Sequence, residues 1–88
     1  MEYDDSLLAL VSFKSNGAVI HDLSTLIGFY KGCIDNVNRL ENKNNKEALK
    51  KKISRSKFNA ECVAKELRVF VSTGKVTKIE DLELDRSE

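Results

Sequence analysis

The chain has 88 residues, of which 41% are hydrophobic and 33% are charged, and its formal net charge is +1. This length builds one domain, and the composition is that of a folded protein and not of a disordered tail. An apolar run of about 18 residues is missing, which argues against a membrane span, and no signal-peptide pattern is present. We therefore expect a cytoplasmic protein whose two cysteines stay reduced.

The N-terminal element, residues 1–16, is predicted to be a short helix. Residues 4–6, Asp-Asp-Ser, have the character of a helix N-cap and precede an apolar run. Residues 15–17 are predicted to end the helix, with Gly17 in a left-handed conformation. Because the apolar run does not define its own period, a short strand over residues 7–13 is the alternative.

Two heptad-spaced apolar stripes predict an antiparallel hairpin of long helices over residues 18–41 and 46–73. Alternating steps of three and four residues place each stripe on one side of a helix. The polar residues 41–45 between them favour a turn, and Asn45 is the expected cap of the second helix. The stripes are Ile20, Leu23, Ile27, Tyr30, Ile34 and Val37, then Leu49, Ile53, Ser56, Ala60, Val63, Leu67 and Phe70.

A C-terminal tail, residues 75–88, follows the second helix, which is predicted to stop at Gly74. Val76, Ile79 and Leu82 are spaced to pack as a short turn against the hairpin, while residues 85–88 are expected to fray. Because a lone hairpin leaves apolar surface in water, the pattern calls for a third element or a partner chain. The predicted fold is an all-α antiparallel helical hairpin with a short N-terminal helix, assembling into a homo-oligomer.

Residues suited to catalysis or metal binding are sparse. Zinc sites need about four Cys or His ligands in close spacing, whereas His21, Cys33 and Cys62 are far apart in the sequence. A nucleophile–base pair would have to use His21, which we interpret as a surface or capping residue. Gly-rich phosphate loops and nucleophile elbows are missing. We predict a non-enzymatic protein with no metal site and no cofactor.

Two glycines interrupt the first long helix, at Gly28 and Gly32. Each interior glycine costs about 1 kcal/mol relative to alanine, so some compensating interaction is expected. One interpretation is the close approach of another helix on the glycine face. The other is room for a flat ligand, with Phe29 stacking on it and Lys31 meeting a phosphate.

Charge is segregated along the chain. Six cations and one acid give residues 46–57 a charge of +5, whereas both chain ends are acidic. Cations at a helix start oppose the macrodipole, so helix propensity does not explain them. Three interpretations stay open: a solvated face, a phosphate site, or a docking surface for an acidic tail. The cluster suits two or three phosphates and not extended nucleic acid.

Residues 53–59, Ile-Ser-Arg-Ser-Lys-Phe-Asn, followed by Cys-Val-Ala at 62–64, carry a family resemblance. They are similar to the second helix of the small phage helical-hairpin domain found in anti-CBASS and anti-Thoeris sponge proteins. That helix tends to read Ile-small-Arg-Ser/Thr-His-apolar-Gln. An Arg-Leu pair at 39–40 closes the first helix, about as far before Arg55 as in the family. The likeness covers about 55 of the 88 residues.

The resemblance implies a sponge that binds cyclic di- or trinucleotide signals in the host cell cytoplasm and withholds them from immune effectors. It also implies compact oligomers. It carries a ligand-binding role to Arg55 and Ser56. Phe13 and Lys14 stand nearest to the family's Gly-Tyr-Arg triplet, and the lysine expected near Thr25 is missing.

The predicted ligand-binding residues combine this resemblance with the two patterns above. In the predicted mechanism an aromatic ring stacks on a base, and Arg55 with nearby lysines meets the phosphates. The alternative function is a small helical interaction protein that inhibits or adapts a host protein. The predicted set is Phe13, Lys14, Phe29, Lys31, Arg55, Ser56, Lys57 and Asn59.

Overall fold

The structure, a computed structural model, describes residues 1–16, 20–44 and 46–86, with residue 46 described as backbone alone. Its elements are α1 (Asp5–Ser15), α2 (His21–Glu41), α3 (Lys46–Thr73) and a 3-10 turn at Ile79–Asp81. These described ranges contain no strand. The all-α prediction is confirmed, and the alternative of a strand over residues 7–13 is wrong because that segment is helical.

The long helices α2 and α3 pack against each other and form the predicted hairpin. The α3 stripe is confirmed: its residues from Ser56 to Phe70 are buried, and Leu49 and Ile53 near the turn are half-buried. Asn45, the predicted cap of α3, lies outside the described residues.

The buried face of α2 is wider than the predicted stripe. Leu26 is fully buried although it lies outside the stripe, whereas Ile27 is half-buried and Ile20 is 40% exposed. A helix in a globular core buries a broad face and not a narrow heptad seam. The predicted start at residue 18 is also wrong, because Ile20 is extended and the helix begins at His21; residues 18–19 lie outside the described ranges.

The short helix α1 supplies the third element that the hairpin needs. The Asp4 carboxylate accepts a hydrogen bond from the Leu7 N–H at 3.0 Å, which confirms the predicted N-cap. Leu7 and Val11 are buried, and α1 packs mainly on α3. Asn16, with a φ of 54°, is the left-handed residue that ends α1. The predicted left-handed residue, Gly17, lies outside the described ranges.

The C-terminal tail returns along the hairpin and packs on its core. Gly74, with a φ of 77°, ends α3 as predicted. After it, Val76, Ile79, Leu82 and Leu84 are partly buried against the core. This packing confirms the predicted turn and covers apolar surface that a bare hairpin would expose to water.

The predicted fraying from residue 85 onward is wrong for residues 85–86. The Asn59 amide donates to the Asp85 carbonyl at 2.9 Å, and the Asp85 N–H donates to the Asn59 side-chain oxygen at 2.8 Å. A buried asparagine thus gives the tail backbone the partners that a neighbouring strand would give. Residues 87–88 lie outside the described ranges.

Candidate functional site

Two adjoining depressions contain four of the predicted site residues. The first, which we call the tail groove, has a volume of about 650 Å³ and lies between α2, α3 and the tail. The second, which we call the glycine depression, has a volume of about 500 Å³ and shares Phe29 and Asn59 with the first. The tail groove is lined by Thr25, Phe29, Arg55, Asn59, Ile79, Glu80, Leu84, Asp85 and Arg86. The glycine depression is lined by Gly28, Phe29, Gly32, Cys33, Asn36, Ser56 and Asn59.

Arg55 is the cation that α3 contributes to the tail groove. Its side chain is 25% exposed, and its Nε lies 3.7 Å from a carboxylate oxygen of Asp85. This Nε is buried and has no hydrogen-bond partner among the described residues. A buried donor without an acceptor costs about 1–3 kcal/mol. A ligand oxygen that accepted a hydrogen bond from Nε would remove that cost.

Asn59 lies where it was predicted to meet a ligand, yet it holds the tail. The residue is only 7% exposed, and its side-chain amide exchanges two hydrogen bonds with the backbone of Asp85. Asn59 therefore lines the site, and its side-chain polar atoms form hydrogen bonds with the tail.

Ser56 is also buried, at 8% exposure, on the side of the glycine depression. Its hydroxyl oxygen accepts a hydrogen bond from the Asn36 amide at 2.8 Å, and the Asn36 oxygen accepts one from Arg39. A hydroxyl that accepts one hydrogen bond still has its own proton to donate. Ser56 can therefore donate to a ligand oxygen.

The two α2 glycines face open space. Apart from its two chain neighbours and the adjacent backbone of α2, a Cβ built on either Gly28 or Gly32 meets no heavy atom within 4 Å in the described part of the chain. Within one described chain, the interpretation that these glycines allow another helix to approach closely is wrong. Their missing side chains instead leave the glycine depression open beside Phe29.

Phe13 and Lys14 lie at the other end of the molecule. Phe13 is 85% exposed on α1, and Lys14 Cε lies 3.7 Å from the Cβ position of Gly74. Gly74 lies about 28 Å from Arg55 along the axis of α3, at a rise of about 1.5 Å per residue. Within one chain, these two residues do not join Arg55 in a single site, because α1 packs near the end of α3.

The remaining two predicted residues also lie outside both depressions. The Lys31 ammonium lies 5.9 Å from the ring centre of Tyr3. Lys57 pairs with Glu41 at 3.5 Å, and both side chains are substantially exposed. An exposed pair of this kind contributes about 0–1 kcal/mol. These lysines are available for long-range attraction of an anion and not for contact in either depression.

The residues of the basic cluster in α3 do not all fit the same one of the three interpretations given above. Arg55 meets the protein's own acidic tail through Asp85, so tail docking is confirmed for this one residue. Lys50, Lys51 and Lys52 are exposed and form no ion pair with another described residue. These three lysines form a solvated face in the described structure.

The site contains residues that the sequence analysis missed, above all Asp85, Arg86 and Asn36. The usable signal was the three-residue spacing of Val76, Ile79 and Leu82, which predicted that the tail would pack. The polar partners on the hairpin carried no local signal. Cys33 lines the glycine depression, and burial raises the pKa of its thiol. A neutral thiol is a poor nucleophile.

Among the described residues, no group of three or more His, Cys, Asp or Glu side chains is placed to hold a metal ion. No helix in the same ranges combines the length with the apolar content that a membrane span needs. No family model, curated protein or solved structure matches the chain. The resemblance to the phage sponges therefore stays a prediction.

Proposed function

We propose that the protein is a non-enzymatic phage sponge that sequesters a cyclic di- or trinucleotide on the tail groove and glycine depression. The observation that carries this proposal is the buried Arg55 Nε without an acceptor, beside a groove of about 650 Å³. That volume falls in the range of about 300–1,000 Å³ that small-molecule sites occupy. Withholding the nucleotide would inhibit CBASS-type defence in the cytoplasm of the bacterial host.

Each contact of the proposed mechanism uses a residue that lines the two depressions. Arg55 donates a charge-assisted hydrogen bond to a phosphate oxygen. Ser56 donates its hydroxyl proton to a second oxygen, and Phe29 offers an aromatic ring to a base. Gly28 and Gly32 let the base approach the backbone of α2. The ligand is held and released unchanged, because sequestration needs no bond to break.

The proposed homo-oligomer would complete this site. Phe13 and Lys14 reach a ligand at Arg55 only from a second copy, since they lie about 28 Å of helix away in their own chain. Leu10, at 52% exposure, and Phe13, at 85%, lie one turn apart on α1 and offer apolar contact area. Light scattering at micromolar concentration should give a multimeric mass, and a monomeric mass with intact helicity would contradict the oligomer.

A panel of cyclic di- and trinucleotides tests the sponge. A ligand that binds only the folded state should raise the melting temperature as its concentration rises, and added salt should weaken the effect. The linear mononucleotides of the same bases are the control. A panel that leaves the melting temperature unchanged would contradict the proposal.

The second candidate is a helical interaction protein, which the exposed Leu10 and Phe13 favour. In this alternative the α1 face binds a host protein and the two depressions bind nothing. Affinity purification from host cells separates the two functions. A host protein that the wild type retains and the Leu10→Ser/Phe13→Ser variant loses, together with no nucleotide response, would favour the alternative.

A further inference from the structure

The tail is attached to α3 through two separate parts of Asp85. Its backbone N–H and carbonyl exchange hydrogen bonds with Asn59, at 2.8 and 2.9 Å. Its carboxylate lies 3.7 Å from Arg55 Nε. The contacts with Asn59 use the Asp85 backbone and not its carboxylate, so they can hold the tail when the carboxylate moves away from Arg55.

The charges that line the tail groove balance. Arg55 and Arg86 oppose Glu80 and Asp85, so an approaching anion meets no net positive charge. Arg86 is also engaged within the tail, where a guanidinium nitrogen donates to the Ile79 carbonyl at 2.8 Å. Arg55 is therefore the cation that an anion in the groove would use, and Asp85 now faces it.

The contact between Arg55 and Asp85 is weak for a charged pair. At 3.7 Å it lacks a hydrogen bond from Nε, and the Asp85 side chain is 41% exposed. A phosphate oxygen at hydrogen-bond distance would make the shorter and stronger contact that charge-assisted bonds provide. A phosphate group should therefore displace the carboxylate.

We propose that the Asp85 carboxylate is a built-in competitor for the phosphate position at Arg55. A phosphate that enters the groove takes the place of the carboxylate on the guanidinium, while Asn59 keeps the tail backbone docked. The competitor lowers the affinity of the site and so sets the ligand concentration at which it fills. The competition between Asp85 and a ligand acts on any phosphate group. The inference rests on the proposed function only for the identity of the natural ligand.

Inorganic pyrophosphate is the probe for the test, titrated into the ¹⁵N-labelled full chain and followed by NMR. Asp85→Asn removes the charge and keeps the backbone atoms that bond Asn59. We expect this variant to bind pyrophosphate about fivefold more tightly than the wild type, the effect of losing a pair worth about 1 kcal/mol. The Arg55 Nε–H signal should shift in both proteins, and the Asp85 amide signal should show that the tail stays docked.

Glu83→Gln is the matched control, because it removes the same charge from an exposed tail residue that forms no ion pair with another described residue. Equal affinities for the wild type and Asp85→Asn would overturn the proposal. So would an equal gain in Glu83→Gln, since that indicates diffuse attraction, or no binding by any of the three proteins. If Asp85→Asn does not fold, Asp85→Ala, which keeps the same backbone atoms, repeats the test.

The cyclic-nucleotide panel separates this inference from the proposed function. If Asp85→Asn tightens pyrophosphate binding but no cyclic nucleotide binds, the proposed competition by Asp85 is supported and the proposed sponge function is wrong. If a cyclic nucleotide binds the wild type and Asp85→Asn equally well, the sponge stands and the competitor is wrong.

Discussion

Asparagine side chains hold both ends of the described chain in the same way but in different surroundings. Asn38 on α2 accepts a hydrogen bond from the Met1 amine and donates one to the Met1 carbonyl, both at 2.9 Å. Asn59 on α3 makes the equivalent exchange with Asp85. Asn38 is exposed, whereas Asn59 is buried. The same pair of bonds therefore competes with water at one end and is shielded from water at the other.

This difference indicates which end is part of the fold and which end is an accessory. A hydrogen bond contributes most to stability when its loss leaves buried groups unpaired. The tail also adds apolar contacts from Ile79, Leu82 and Leu84. We therefore expect the C-terminal attachment to stabilise the domain and shape the site, while the N-terminal attachment contributes little.

The largest expected loss of stability comes from disrupting the hydrophobic core. Val63 is fully buried between the helices, so Val63→Asp would place an unpaired charge in an apolar core. We expect a loss of more than about 4 kcal/mol, seen as lost helicity in circular dichroism at 25 °C. Ile27→Asp, at a half-buried position, is the control and should cost less. A folded Val63→Asp protein would contradict the described packing.

The next effect compares the two asparagines directly. Asn59→Ala leaves the N–H and the carbonyl of Asp85 without their partners, and we expect a loss of about 2 kcal/mol in the free energy of unfolding. The matched Asn38→Ala removes two bonds at an exposed site and should cost less than about 0.5 kcal/mol. Urea denaturation measures both values. Equal losses would show that burial does not distinguish the two ends.

The smallest effect concerns the N-terminal segment at high pH. The hydrogen bond from the Tyr3 hydroxyl to Asp35 raises the pKa of Tyr3, helped by partial burial and by repulsion from the Asp35 charge. A raised pKa in the folded state favours the protonated hydroxyl. Its contribution to stability is therefore complete below the unfolded value of about 10, and is lost as the pH rises through the folded value.

Tyr3→Phe isolates this contribution. The wild type should be slightly more stable than the variant at about pH 9, and the two should converge above the folded pKa of Tyr3. Urea midpoints for both proteins across this range give the measurement. A difference that stays constant through the alkaline range would show that the hydroxyl proton does not matter.

The helices were predictable because their signals are local. The three- and four-residue spacing of apolar positions, the Asp4 cap and the Gly74 stop each act within a few residues. The width of the α2 core face was not predictable in this way. Leu26 is buried outside the predicted stripe, and α2 contacts the 3-10 turn of the tail as well as α3, an arrangement that depends on where the tail returns.

The candidate site was predicted only in part, for a related reason. Phe29, Arg55, Ser56 and Asn59 come together because the hairpin aligns α2 with α3. Phe13 lies apart from them because α1 packs near the end of α3. That position depends on long-range packing, which no local sequence pattern predicts. The role of Asn59 was also not predictable from local sequence. An amide beside an apolar stripe can form hydrogen bonds with a ligand or with the tail backbone, and the sequence does not distinguish the two.

The most direct test of the central claim is the affinity of Arg55→Ala for the cyclic nucleotide that most raises the melting temperature. Isothermal titration calorimetry should show a loss of about 1.5–3 kcal/mol, the range for a hydrogen bond to a charged group, with helicity and oligomer mass unchanged. Lys43→Ala, in the exposed turn, is the control and should cost little. Equal losses in both variants, or full affinity in Arg55→Ala, would contradict the assignment of Arg55 as the phosphate-binding residue.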